Sequence, residues 1–264
     1  MANDTITKTL AVTVGLSLVC SILVSSAAVL LKPVQDDNQK LDLQKNILAI
    51  SGLVKEPQAL SSDQIAARFK EVTPQLVDIK TGKIVADVNG LDAEKYVQQN
   101  AAKDPSLSHT LEAGQDIAGI KRQANVAKIY KVTENGKLKT LILPIHGRGL
   151  WSTLYGYIAL EDDLKTVSGF GFYSHAETPG LGGEVDNPTW KASWIGKQVF
   201  DANDQLSIKV IKGAVTSGSA NAAHEIDGLA GATLTSVGVN NLVQFWLGQE
   251  GFGPFLANLK KGEA

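Results

Sequence analysis

Asp227-Gly228-Leu229-Ala230-Gly231-Ala232-Thr233-Leu234-Thr235-Ser236 is the stretch from which the rest of this 264-residue chain is best read. Behind it runs Val237-Gly238-Val239-Asn240-Asn241-Leu242-Val243-Gln244-Phe245-Trp246-Leu247-Gly248. Apolar residues at 239, 242, 243, 246 and 247 recur at helical spacing, and Gly248 fits a C-terminal stop. The spacing therefore predicts a helix whose mouth holds Thr233, Thr235 and Ser236. Free N–H groups and the positive end of the helix dipole favour an anion there. Gly228 and Gly231 allow positive φ and remove side-chain bulk beside a ligand. On these grounds alone the segment reads first as an ordinary Ser/Thr helix cap after a glycine turn.

Composition narrows the chemistry. A net charge of −2 gives no footprint for nucleic acid. One cysteine, Cys20, excludes an intramolecular disulfide, a four-cysteine zinc site and a self-contained iron–sulfur cluster. The four histidines, at 109, 146, 175 and 224, show no paired-ligand spacing. No Walker A sequence is present, and Gly147-Arg148-Gly149-Leu150-Trp151 lacks the glycine spacing of a dinucleotide loop. Redox chemistry would have to come from an organic cofactor or a partner.

Leu10–Leu31 carries no charged residue. As a helix it would span roughly 33 Å, about one hydrocarbon core. A cleaved signal peptide is the competing reading, but its apolar region is shorter, about 7–15 residues. An uncleaved anchor is expected. Ser17, Ser21 and Ser25 form a small-residue stripe on which another helix could pack closely; the alternative is a single span that tolerates serine. Lysines lie on both sides of the span, and the charge rule weakly favours a cytoplasmic domain. Residues 1–9 then form a tail, 10–31 the span, 32–74 a helical connector, and 75–264 a soluble domain. Within the connector a short helix is expected over 46–53, and Ser61 with Gln64 forms a capping-box pattern for a helix reaching Val72 and stopped by Pro74.

Beyond Pro74 the pattern turns to strands. Residues 75–79 and 84–88 flank Lys80-Thr81-Gly82-Lys83. Residues 125–132 and 137–145 flank Glu134-Asn135-Gly136, a strong hairpin signal. Residues 154–160 and 166–173 form a third pair, 205–212 a further strand, with helices near 93–102 and 188–196. The fold class expected is α+β: one N-terminal transmembrane helix, then an antiparallel sheet with helices.

A second stretch, Ser174-His175-Ala176-Glu177-Thr178-Pro179-Gly180-Leu181-Gly182-Gly183-Glu184, follows the third hairpin. On composition it is a surface turn. Together, D-G-L-A-G-A-T and E-T-P-G-L-G resemble the two signatures of the FMN-binding domain family. That family is shared by the C subunit of the Na⁺-translocating NADH:quinone oxidoreductase and the G subunit of the Rnf complex. The length before Asn125 fits the former better.

The resemblance implies FMN, bound covalently through its phosphate to the Thr233 hydroxyl, with Gly231 and Ala232 beside it in the binding loop. It implies that Asp227 is read by a modifying flavin transferase, and that Glu177, Thr178, Leu181 and Gly182 lie against the isoalloxazine ring. Thr235 and Ser236 become candidate phosphate ligands. Ala230 departs from the motif, which has Ser or Thr there. Trp151 is a candidate to stack on the flavin or, equally, a core tryptophan. Lys212, in preference to Arg148, is a candidate to offset phosphate charge.

By resemblance the chain passes single electrons toward quinone within a multi-subunit membrane complex coupled to Na⁺ export. It would sit in lipid in a bacterial inner membrane, with its soluble domain on the periplasmic side, against the weak charge rule. The alternatives are an Rnf-type subunit and a membrane-anchored, non-redox ligand-binding module.

Overall fold

A computed structural model describes residues 5–216 and 218–264; of the tail expected over 1–9, residues 1–4 lie outside it. The helices are α1 (Ile6–Ile50), α2 (Ser62–Phe69), α3 (Gln98–Ala101), α4 (Pro188–Ala192), α5 (Thr233–Leu247) and α6 (Gly253–Lys261). The strands are β1 (Val72–Asp78), β2 (Lys83–Val85), β3 (Ser108–Thr110), β4 (Arg122–Ala124), β5 (Val126–Glu134), β6 (Lys137–Arg148), β7 (Thr153–Glu161), β8 (Val167–Ser174), β9 (Lys209–Val210) and β10 (Glu225–Ile226). The chain is α+β, as expected. Its contacts divide it into residues up to Leu43 and Gln44–Ala264.

The first unit is the exposed stretch of α1. Among the described residues α1 is the one helix long and apolar enough to cross a membrane. The helix expected over 46–53 is not a separate element: α1 runs unbroken to Ile50 and turns at Ser51-Gly52. Pro33 does not stop it.

The second unit is built on a six-stranded sheet in the order β2-β1-β5-β6-β7-β8, every neighbouring pair antiparallel. The three expected hairpins are all present. At the β5–β6 turn Asn135 and Gly136 have φ of 53° and 76°. A two-residue hairpin with both central residues left-handed matches the twist of its strands, which is why Asn-Gly is such a strong signal. Pro74 lies within β1, beyond Leu76–Asp78, the stretch that β2 covers. There β1 is an edge, and a missing N–H does no harm.

The helix expected to reach Val72 ends at Phe69; its capping box at Ser61 and Gln64 forms in full. The helix expected over 93–102 shrinks to α3, because Asp92 first organises a turn through Lys95 and Tyr96. The strand expected over 205–212 shrinks to β9, which pairs with β10 in parallel. Around β9 the backbone is taken by side chains of α5: Val210 N–H donates to Asn240 Oδ1, and the Gln244 amide donates to the Ile208 carbonyl.

One face of the sheet carries the main core. Leu143, Ile145, Leu154, Ile158 and Phe170 join Val239, Leu242 and Trp246 of α5, with Trp190 and Trp194 at one side. Phe170 and Trp194 stack at 3.7 Å, and Trp190 meets Phe170 edge-on at 5.9 Å. Two glycines let α5 lie close on the end of β6. A Cβ on Gly147 would sit 2.6 Å from Leu242 Cβ, and one on Gly238 would run into the Arg148 carbonyl. The N-terminus of α5 is thereby fixed beside the turn that follows β6.

Gly169 of β8 accepts the last turn of α1 against its backbone, where a Cβ would collide with the Ile50 carbonyl. Gly169→Ala is expected to destabilise the chain by about 1–3 kcal/mol through overpacking. At roughly 2–4 °C per kcal/mol for a chain of this size, a melt of the detergent-solubilised protein should shift down by several degrees. An unchanged melting temperature would contradict the packing of α1 on β8.

Candidate functional site

Thr233 is the first residue of α5, and its side chain is exposed. The N-cap, Ala232, supplies no side-chain hydrogen bond, so the first turn of the helix keeps donors that a Ser or Asp cap would otherwise engage. Gly231, at φ 72°, makes the turn into the helix, with Leu181 Cδ2 3.2 Å from where a Cβ would stand. The structure thus brings the two sequence signatures together at Gly231 and Leu181.

Their junction is a buried carboxylate. Glu177 is 5 % exposed. Its Oε1 accepts from the backbone N–H of Trp151 at 3.0 Å and of Ser152 at 3.2 Å, and from the Ser152 hydroxyl at 3.4 Å. Its Oε2 accepts from Leu150 N–H at 3.2 Å and from the Thr235 hydroxyl at 2.7 Å. Burial by itself would raise the Glu177 pKa. The bond from Thr235 and those from the amides of Trp151, Ser152 and Leu150 outweigh it and hold the carboxyl below its ordinary value. The group is therefore ionised at neutral pH.

Glycines crowd this charge. A Cβ on Gly182 would lie 2.5 Å from Thr235 Oγ1 and 2.8 Å from Glu177 Oε2; one on Gly149 would lie 2.6 Å from Glu177 Oε1. On the far side, Glu177 N–H donates to His175 Nδ1 at 3.2 Å, and His175 Nε2 meets Asp186 Oδ2 at 2.7 Å. Nδ1 accepts, so Nε2 carries the proton toward Asp186.

Several sequence expectations change. Glu177 was expected to lie against a flat ligand; its carboxylate instead turns into the protein and joins three segments. Thr235 and Ser236 were expected as phosphate ligands, yet both are buried and act as internal ties. The Ser236 hydroxyl accepts from Leu229 N–H at 2.8 Å and donates to the Ala232 carbonyl at 3.1 Å. Gly182 is buried against the carboxylate, while Thr178 and Leu181 are exposed. The Thr178 carbonyl accepts from Leu181 and Gly183, closing the turn through Pro179 and Gly180. Lys212 and Arg148 are both exposed. Asp227 is half-buried and bonded to the segment before it.

Trp151 is not a core residue: it is 67 % exposed. With Leu150, Leu181, Leu234 and Val237, all at least 40 % exposed, it forms an apolar rim on the segments that meet at Glu177. Single exposed apolar side chains are normal; several on segments joined at one point make this the candidate surface for a ligand. Sequence reading missed Ser152, and it placed Gly149 and His175 in the candidate stretches without their roles beside Glu177. Their signal was weak because each acts on Glu177 through contacts that only the folded chain makes. Among the described residues no cluster of His, Cys, Asp and Glu could hold a metal.

Comparison with known proteins gives one consistent family. Residues 149–248 match the model of an FMN-binding domain, a span that contains both signatures and the Trp151 loop. The chain is 54 % identical over 266 residues to the C subunit of the Na(+)-translocating NADH-quinone reductase of Pseudomonas aeruginosa, covering 100 % of both chains. It is 48 % identical over 261 residues to the subunit of the same name in Vibrio parahaemolyticus, covering 98 % of this chain and 97 % of the relative. The crystal structure of Shewanella oneidensis NqrC is similar, with a TM-score of 0.74 at 37 % identity, over 83 % of this chain and 96 % of that one.

Glu177→Ala leaves three backbone N–H groups and a buried hydroxyl without their acceptor, and is expected to destabilise the chain by on the order of 2–3 kcal/mol. The carboxyl pKa is lowered by folding, so its contribution is fully present above its ordinary value of 4.5 and is lost as pH falls below that. Acid titration of stability should therefore be flatter below pH 4.5 in Glu177→Gln than in the parent chain. Parallel curves would contradict the assignment.

Proposed function

The chain belongs to the NqrC family, the C subunits of Na(+)-translocating NADH-quinone reductases, and from that premise we propose that it is an electron-carrying member of such a complex, with FMN esterified to Thr233. The observation that carries the proposal is the exposure of Thr233 at the uncapped start of α5, inside an Asp-x-x-x-Gly-Ala-Thr sequence and within the matched FMN-binding domain. Bound FMN supplies one-electron chemistry.

The residues present fit that group. The first turn of α5 offers N–H donors and a positive dipole end to a phosphate. Gly231 gives the backbone the left-handed turn that presents Thr233. Exposed Leu181 and Trp151 offer apolar contact to a flat ring. Lys212, one residue beyond the close approach of Ile211 to Gly228, is the cation to offset phosphate charge. Thr235, Ser236 and Glu177 do not touch the ligand in this reading; they hold the frame. Ala230 is exposed, and its missing hydroxyl removes one contact from the loop without removing the acceptor.

A covalent bond suits this rim. Its apolar side chains are open, and an exposed, non-covalent flavin would be lost by dissociation. In the proposal α1 is an uncleaved single-pass anchor in the bacterial inner membrane, and the soluble domain lies on the periplasmic side. Other subunits of the complex supply and receive the electrons, and a flavin transferase attaches the FMN.

The test is direct. The full chain, produced with a flavin transferase and then denatured, should keep flavin fluorescence on its gel band and the corresponding mass on the peptide containing Thr233. Thr233→Val should lose both. Covalent flavin that survives in Thr233→Val, or a parent chain that carries none, would overturn the assignment.

A further inference from the structure

Asp227 opens the segment that carries Thr233, and its bonds to the described residues lead back into the fold. Oδ1 of its carboxylate accepts from Val215 N–H at 2.7 Å. Its carbonyl accepts from Trp190 Nε1 at 2.8 Å. The next residue, Gly228, donates its N–H to the Gly213 carbonyl at 2.8 Å, and Ile211 N–H donates to the Ile226 carbonyl at 2.9 Å. Gly228 leaves no room for a side chain, since a Cβ would strike the Ile211 carbonyl and lie 3.3 Å from Gly213 N. Trp190 is itself locked by edge-on contacts with Phe170 at 5.9 Å and Trp194 at 5.6 Å.

The other end of the segment is closed by Ser236 through Leu229 and Ala232. The loop from 227 to 236 is therefore fixed at both ends, with Thr233 exposed between them. A carboxylate held by a backbone amide makes a charge-assisted bond stronger than a neutral one.

We propose that Asp227 is a positioning residue for flavin attachment: its carboxylate, bonded to the Val215 amide, ties the loop to the segment before it and so fixes the shape in which Thr233 is presented, and it does not serve as a charge read by the modifying enzyme. The proposal rests on Thr233 being the attachment site. Attachment forms a bond from Thr233 Oγ1 to the flavin phosphorus. With a flavin dinucleotide as donor, the phosphoanhydride bond breaks, the nucleoside monophosphate departs with the bond's electron pair, and the hydroxyl proton passes to solvent. In the proposal Asp227 acts through the bond from Val215 N–H to Oδ1 and not on the reacting atoms.

The two roles separate in the conservative variant. Asp227→Asn keeps an oxygen that accepts from Val215 N–H but removes the charge; Asp227→Ala removes both. Initial rates of covalent flavin incorporation into the full chain, with FAD and a flavin transferase, are compared with amide hydrogen exchange at Val215. Asp227→Asn should stay within about threefold of the parent, and Asp227→Ala should fall about tenfold or more, the scale of losing a hydrogen bond to a charged group. Val215 should stay protected in the parent and Asp227→Asn and exchange faster in Asp227→Ala.

Asp227→Asn as slow as Asp227→Ala, with Val215 protected, would overturn the proposal in favour of a charge read by the enzyme. Should Asp227→Ala not fold, Val215→Pro removes the N–H that the carboxylate accepts from and leaves the charge in place. It should slow incorporation severalfold, and an unchanged rate would overturn the proposal. A parent chain that takes no flavin on Thr233 would defeat the functional reading instead. The Val215 comparison would still decide whether Asp227 holds the loop.

Discussion

One ionised carboxylate holds the candidate site together. Glu177 takes donors from the turn after β6 and from the first turn of α5, while its own backbone is tied to His175. A buried charge is costly unless fully bonded, and here each oxygen has at least two donors. The requirement works in both directions. Loop 150–152 has little regular structure of its own and is shaped by the acceptor, and the acceptor is tolerable only because the loop encloses it.

The close glycines follow from the same requirement. Gly149 and Gly182 stand where any side chain would displace the carboxylate or the Thr235 hydroxyl, and Gly147 and Gly238 let α5 approach β6 closely enough for Thr235 to reach it. The sheet, its core and the short α5–β6 distance thus bear directly on the position of Thr233. Segments separated by 58 residues, at Glu177 and Thr235, meet within a hydrogen bond. The outer side of the same structure is left apolar and open at Trp151, Leu181 and Leu234.

Much of this was legible in sequence. The Glu134-Asn135-Gly136 turn between two strand-like runs located the central hairpin, and helical spacing after Thr233 located α5, because both signals are local. The long-range choices were not legible. Nothing in Glu-Thr-Pro-Gly-Leu-Gly says whether its acid faces a ligand or the protein; that depends on Gly149, Ser152 and Thr235, which only the fold brings near. Thr235 and Ser236 look like free hydroxyls at a helix mouth until Glu177 and Leu229 occupy them. Residues 205–212 alternate like a strand, but Asn240 and Gln244 of α5 engage their backbone and leave a two-residue ladder. The FMN-domain reading came from two short motifs and the anchor from the uncharged Leu10–Leu31 stretch; comparison supports the family across the full length and the FMN-binding domain over residues 149–248.

The central claim is that the cradle exists before any flavin arrives, because Glu177 builds it. Amide hydrogen exchange at Leu150, Trp151 and Ser152 tests this most directly, measured on the full chain before and after flavin attachment. The account predicts that all three amides are already protected in the unmodified chain and change little on attachment. Rapid exchange that slows only when the flavin is bound would contradict it and make the flavin, not the carboxylate, the organiser of the site.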